Sequence, residues 1–250
     1  MKHLKMLLCI LLSLCTAIGL SGCGNGRQNA GSETGPPPIS ETEKSQTSEV
    51  MSEAADKPKD VADGSVAGSN MIIAYFSWAN NAEEYNLEDI GVDVLGHASV
   101  VVPGDVGRIA EYIEERTGAE MFPIILTEKY SSNYNECLEQ AKDQRGQDEI
   151  PELTEHIDNL DDYNVIFLGF PNWWYTIPVA IDSFVTEHDL SGKTVIPFVS
   201  HGTGGLAGTI RDLAAILPDD CTLLQSYDVY EDDIPSAQDE VNAWLEELGY

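Results

Sequence analysis

The chain has 250 residues, 42% of them hydrophobic, which is enough for one sizeable core, and its 43 acidic side chains outnumber 13 basic ones for a net charge of −30 at pH 7. That balance excludes nucleic acid as a partner, because neutralising phosphates takes a basic stripe and the sequence has none. An acidic surface instead serves solubility, steers a basic partner, or keeps a domain off an anionic membrane surface.

Residues 1 to 22 open with Lys2 and Lys5, continue with an apolar run from Met6 to Leu20 and close on small residues. This is a secretory signal, too short for a comfortable membrane span. Its end, "LSGC", resembles the lipobox of bacterial lipoproteins, which implies that Cys23 is diacylated and becomes the first residue after cleavage. The expected location is therefore the cell membrane, outside the cytoplasm, with the lipid as the only membrane contact. Residues 23 to 70 are rich in Gly, Ser, Thr, Pro and Glu and poor in large apolar residues. They cannot bury enough surface to offset the entropy of ordering, so a disordered tether is expected, with an r.m.s. reach of roughly 40 Å as a flexible coil.

From residue 71 to 250 the chain has the length of a single domain. It holds 35 acidic residues against 7 basic ones, a net charge of about −28. Five short apolar runs read as strands: "MIIAYF" (71 to 76), "AEMFPIIL" (119 to 126), "NVIFLG" (164 to 169), "TVIPFVS" (194 to 200) and "TLLQSYDV" (222 to 229). They are apolar on both faces, as buried parallel strands are. Helices lie between them. Arg108 to Arg116 carries Ile109, Tyr112 and Ile113 and stops near Gly118; Tyr134, Cys137, Leu138 and Ala141 make a second stripe. Leu206, Ile210, Leu213, Ala214 and Leu217 form a third, ended by Pro218, and Ser236 is placed to cap a last helix bearing Val241, Trp244, Leu245 and Leu248.

Strict alternation of strand and helix predicts a doubly wound α/β fold with a five-stranded parallel sheet in the flavodoxin-like order 2-1-3-4-5. Pro123 inside the second strand agrees, since that order makes the second strand an edge. Pro197 does not sit easily in the fourth strand, an interior position that needs a bulge or an unpaired site.

Cys9 and Cys15 leave with the signal, so only Cys137 and Cys221 remain in the domain, too few for a metal cluster and enough for one disulfide outside the cytoplasm. Cys137 on its apolar stripe fits a small buried hydrophobe better. His97, His156 and His188 show no ligand spacing, and a metal is not expected.

Ligands of such sheets bind at the carboxyl ends of the strands, near the point where strand order reverses. The loops there are "SWANN" after strand one, "FPNWWYTIP" after strand three and "SHGTGG" after strand four. One is aromatic and another is Gly-rich with accessible backbone N–H groups. Together they describe a slot for a flat, polar-edged ring, stacked on aromatic faces and hydrogen-bonded at its edge by glycine backbone. A hydrolase is not expected, because Ser200 and His201 are adjacent, poorly placed to act as nucleophile and base, and no G-x-S-x-G elbow is present.

"AYFS", "FLGFPNWWYTIP" and "PFVSHGTGG" resemble the three FMN-contacting loops of the flavodoxin-like family, particularly its bacterial flavodoxin-domain lipoproteins. The resemblance implies FMN as cofactor, with Ser77, Trp78 and Asn80 near the phosphate, Pro171, Asn172, Trp173, Trp174 and Tyr175 on one side of the ring, and Ser200, His201, Gly202, Thr203, Gly204 and Gly205 at its edge. In the family pattern Gly-Asn-Thr precedes the first long helix, whereas "PGDVGRIA" here places Gly104, Asp105 and Val106. Asp105 reads as a helix N-cap whose charge opposes a phosphate. Arg108 or the amides of residues 78 to 81 are then the alternative phosphate contacts.

The resemblance implies redox chemistry carried by the flavin, with no catalytic acid or base. The expected partner is a redox protein or a small quinone-like substrate. The alternative is a binding module that keeps the fold and has lost FMN.

Overall fold

The computed structural model describes residues 70–86, 90, 100–147 and 150–250. The expected signal (1 to 22), Cys23 with its expected lipid, the expected tether (23 to 70) apart from its last residue, Asn70, and His97 lie outside the described residues. No helix among the described residues is long and apolar enough to cross a membrane.

Five runs of β-branched and aromatic residues do form the sheet, with the last run divided. The strands are β1 (Met71–Tyr75), β2 (Glu120–Pro123), β3 (Val165–Pro171), β4 (Thr194–His201), β5 (Thr222–Leu223) and β6 (Tyr227–Tyr230), and the helices are α1 (Trp78–Asn81), α2 (Gly104–Thr117), α3 (Tyr134–Arg145), α4 (Val179–Glu187), α5 (Thr209–Ile216) and α6 (Gln238–Leu248). All strand pairs are parallel, in the order β2-β1-β3-β4-β5, with β6 also on β4. This is the flavodoxin-like α/β order expected from the sequence. The expected fifth strand, 222 to 229, is two short strands on the same neighbour, β4.

The alternation of strand side chains builds two cores, one on each face of the sheet. Ile72, Ala74, Ile166, Leu168, Val195 and Val199 point into the layer of α3, α4 and α5. Met71, Ile73, Phe167, Ile196 and Phe198 point into the layer of α2 and α6, against Ile109, Ile113, Val241 and Leu245. Because both faces are covered, the central strands carry no polar face, which is why they read as continuous apolar runs.

Both prolines find positions that need no donor. Ile124 N donates to Tyr75 O, so Pro123, one residue earlier, turns its nitrogen to the open edge of the sheet. In β4, Thr194 N donates to Asn164 O and Ser200 O accepts from Asn172 N, so even-numbered residues bond toward β3. Pro197 therefore faces the other side. There the register jumps from Val195↔Leu223 to Phe198↔Tyr227, and Pro197 falls in the break between β5 and β6. The split of the fifth strand is what makes an interior proline tolerable.

Helix ends differ in part from expectation. Gly118 closes α2 in the left-handed conformation (φ 70) with its N–H on Glu114 O, a role that favours glycine. That helix starts at Gly104, with Pro103 as N-cap and no side-chain cap, so Asp105 is a first-turn residue and not the cap. Ser236 does not cap α6 either: its hydroxyl donates to Asp233 O within a 3-10 stretch, and Ala237 holds the cap position. Leu206 precedes α5 and accepts from Thr209 N and Thr209 Oγ1.

Candidate functional site

The carboxyl ends of β1, β3 and β4 open on a cleft of about 430 Å³. Its aromatic wall is set by the loop after β3. Trp173 and Thr176 exchange both backbone hydrogen bonds (3.2 and 3.1 Å), so Trp174 and Tyr175 are the two corner residues of a tight turn. Both have positive φ (53 and 66), the signature of a type I′ turn, where Asn-Gly is the ordinary choice. An aromatic L-residue in this region costs about 1–2 kcal/mol.

Several contacts hold the strained turn. Gly208 N donates to Tyr175 O (3.0 Å), Thr176 Oγ1 donates to Asp212 Oδ2 (2.6 Å), and Arg145 reaches Ile177 O and Thr176 Oγ1 from the end of α3. The Thr176 hydrogen bond, with help from Arg211, holds the Asp212 carboxyl below the usual carboxylate range.

The two tryptophans diverge. Trp173 turns inward, edge-on to Phe76 (centroids 5.3 Å) and Tyr130 (5.2 Å), and is mainly a core residue. Trp174 turns outward, 41% exposed, with its indole N–H on Leu138 O of α3 (3.2 Å). Tyr175 is 68% exposed and lies over Gly204, where a Cβ would come within 3.2 Å of its ring. The expected three-ring wall is thus two exposed rings and one anchored in the core.

Against this turn packs the turn after β4. Gly205 N donates to Gly202 O (3.2 Å), and Gly205 adopts φ 58. Asn172 spans the two loops: its backbone N donates to Ser200 O (2.8 Å) and its Nδ2 donates to Gly205 O. The Gly205 carbonyl fixes the orientation of the amide, and Asn172 Oδ1 is left buried without a hydrogen-bond donor. His201 places Nδ1 against Gly202 O (2.9 Å) and Nε2 against Asp228 Oδ2 (3.1 Å).

Of the residues expected at the site, Trp78, Pro171, Asn172, Trp173, Trp174, Tyr175, Ser200, His201, Gly202, Thr203 and Gly204 line the cleft. Ser77, Asn80 and Gly205 do not. Ser77 is 1% exposed and caps α1 by accepting from Asn80 N (3.3 Å), while Asn80 Nδ2 donates to the Tyr75 hydroxyl. The neighbouring Asn81 is wholly structural, donating to Ser77 O and Ile124 O and accepting from Leu126 N. Arg108 also stays outside the cleft, paired with Glu111 at 2.8 Å.

Sequence reasoning missed part of the lining. Tyr134, Cys137, Leu138 and Ala141 of α3 supply an apolar floor, and Glu231, just past β6, adds a carboxylate. The helical stripe of α3 was visible in the sequence, but a stripe does not say which of its residues meet core and which meet a cleft. Burial pushes the Cys137 thiol up to about 12, so it lines the cleft as a neutral group. Cys137 and Cys221 are both free thiols. His156 and His188, far apart in sequence, have ring centroids 5.5 Å apart. Both nitrogens of His188 are occupied, however, by Phe184 O and Ile157 N, and no group of three His, Cys, Asp or Glu among the described residues is arranged to hold a metal.

Residues 99–248 match the family model described as Flavodoxin. None of the curated proteins matches the chain. Among solved structures, a candidate flavoprotein from Bacteroides eggerthii is 22% identical, covers 73% of this chain and 99% of its own, and superposes with a TM-score of 0.56. One from Bacteroides uniformis is 21% identical, covering 72% and 99%, with a TM-score of 0.55. A flavoprotein from Lactobacillus acidophilus, in complex with FMN, is 20% identical, covering 69% and 98%, with a TM-score of 0.49. Likeness at this identity speaks for the fold, and the family match spans more than half of the chain. Together with the sheet order and the cleft at its switch point, it means that the chain belongs to the flavodoxin family.

Proposed function

We propose that this chain is a flavin-binding redox protein whose cleft holds an isoalloxazine ring, with FMN the form that family membership brings forward. The observation that carries the reading is the strained turn. Two exposed aromatic residues are held at positive φ on the rim of a cleft, beside a glycine turn, where Asn-Gly would be the low-energy sequence. Strain of this kind concentrates at ligand sites.

A bound flavin supplies the electron or hydride transfer itself. The chain's own residues bind and shield. Trp174 and Tyr175 would offer faces for stacking, the Gly202 to Gly204 backbone would let a ring edge come close, and the buried Asn172 Oδ1 would accept from a ring N–H. Tyr134, Leu138 and Ala141 keep water from the apolar side. The reading needs no catalytic acid or base. Its acceptor is a basic redox protein, steered by the domain charge of about −28, or a small quinone-like molecule. The "LSGC" sequence and the polar stretch after it support attachment outside the cell membrane through Cys23, two acyl chains being enough for stable anchoring.

Titration of the purified protein with FMN and riboflavin tests the reading. One equivalent of flavin should bind with quenched fluorescence, because stacking on Trp or Tyr quenches it. The second reading, a cleft that has lost its flavin, draws on Asp105 in the first turn of α2. Full fluorescence for both flavins at saturating concentration, with no thermal shift, would establish it instead.

A further inference from the structure

We propose that the cleft binds a neutral flavin through its ring and hydroxyl chain and gains nothing from a terminal phosphate, so that riboflavin binds at least as tightly as FMN. This rests on the flavin reading above and concerns the other end of the ligand.

The cleft bridges the two layers of the fold and changes character across them. From the layer of α3 come Tyr134, Cys137, Leu138 and Ala141, next to Trp174. From the layer of α2 come Val106 and Asp105, and Glu231 lies against the glycine turn, its Oε1 within 3.3 Å of where a Gly202 Cβ would stand. One end is therefore aromatic and apolar. The other is acidic, and among the described residues no Lys or Arg lines it.

Cations of the neighbouring elements are committed. Arg108 pairs with Glu111, Arg211 with Asp212, Arg145 with the Thr176 region, and Lys129 with Asn80 O. Ser77, the hydroxyl expected at a phosphate, is buried in the cap of α1. Asp105 and Glu231 have other interactions in the chain as well. The Asp105 charge, and not an open valence, is what opposes a phosphate dianion at the positive end of α2, and Glu231 adds to the negative field of the same cleft. Carboxylates do suit the hydroxyls of a sugar-alcohol chain, since an ionised carboxylate only accepts hydrogen bonds and a hydroxyl can donate. The ring end fits a flavin and the acidic end does not fit its phosphate.

The test compares riboflavin and FMN on the full chain by fluorescence quenching at low salt and at about 0.5 M NaCl, where charges are screened beyond a few ångströms. At low salt riboflavin should bind as tightly as FMN or more tightly. Raising the salt should tighten FMN and leave riboflavin unchanged. Asp105→Asn and Glu231→Gln should each raise the affinity for FMN relative to riboflavin by about two- to ten-fold, the size of one charge at a helix end, whatever they do to the ribityl contacts that both ligands share. The salt comparison needs no variant, so it stands even if a substitution harms folding. FMN binding tenfold more tightly than riboflavin and weakening with salt would overturn the inference while leaving the flavin reading intact. Binding of neither flavin would overturn both.

Discussion

Replacing Tyr175 by Asn separates stability from binding, because the structure assigns that ring little part in holding the fold. Tyr175 is 68% exposed, so about a third of a side chain that covers roughly 200 Å² is buried, and at about 25 cal/mol per Å² its removal costs about 1.6 kcal/mol. Against this, the residue sits at φ 66, where Asn is tolerated and an aromatic is strained by about 1–2 kcal/mol. The two terms nearly cancel. Tyr175→Asn should therefore change the unfolding free energy by less than about 1 kcal/mol in urea titration, whereas truncation of a core aromatic costs about 3–5 kcal/mol. Flavin affinity, read by fluorescence, should fall by about 1–3 kcal/mol, the scale of a lost stacking face. A loss of stability above about 2 kcal/mol with unchanged flavin affinity would refute the reasoning, since Tyr175 would then be a support of the loop.

Three further outcomes follow from particular contacts. Thr176→Val keeps the shape of the side chain and removes the hydroxyl between Arg145 and Asp212; it should cost about 1–2 kcal/mol in denaturant melts and weaken flavin binding, with Thr176→Ser restoring both. Equal losses for Val and Ser would mean that packing, not the hydrogen bond, holds the turn. Cys137, its thiol pushed up to about 12 by burial, should resist iodoacetamide at pH 8 in the folded protein and react only on unfolding, and rapid labelling of the native protein would contradict its placement under the cleft. His188 is held neutral by burial, its pKa below the ordinary 6.5. The unfolded chain takes up a proton near pH 6.5 and the folded chain does not, so this contribution is complete above that pH and is lost as the pH falls below it, by up to about 1.4 kcal/mol per pH unit. Melts between pH 7.5 and 5.5 should show that decline, and His188→Gln should flatten it; an identical slope in the variant would remove His188 as its cause.

The fold was legible because its strands are short, apolar on both faces and separated by helical stripes, and a parallel sheet covered on both sides imposes that pattern directly. Pro123 even marked its edge. Pro197 was not interpretable, since its tolerance depends on a break in the neighbouring strand that no local pattern in residues 222 to 230 announces. The position of the cleft followed from topology, but its wall did not follow from composition. Adjacent tryptophans look alike in a sequence, and only a turn with two non-glycine residues at positive φ sends Trp173 inward and Trp174 outward, a choice that local propensity argues against. Ser77 and Ser236 show the opposite error. Both are good capping residues, and the structure uses Ser77 as a cap where a ligand contact was expected and leaves Ser236 off the cap where one was expected. Glu231 reaches the cleft from the far end of the sheet, a meeting set by how β6 ends on β4 and not by any spacing along the chain.

The central claim is that a flavin ring lies in the cleft that the Trp174–Tyr175 turn and the Gly202 to Gly204 turn line together. Crystals of the protein grown with riboflavin would test it most directly. The account predicts ring density stacked on Trp174 or Tyr175, with an N–H of the ring within hydrogen-bond distance of Asn172 Oδ1. A flavin found elsewhere on the surface, or a cleft that stays free of it at saturating riboflavin, would contradict the account.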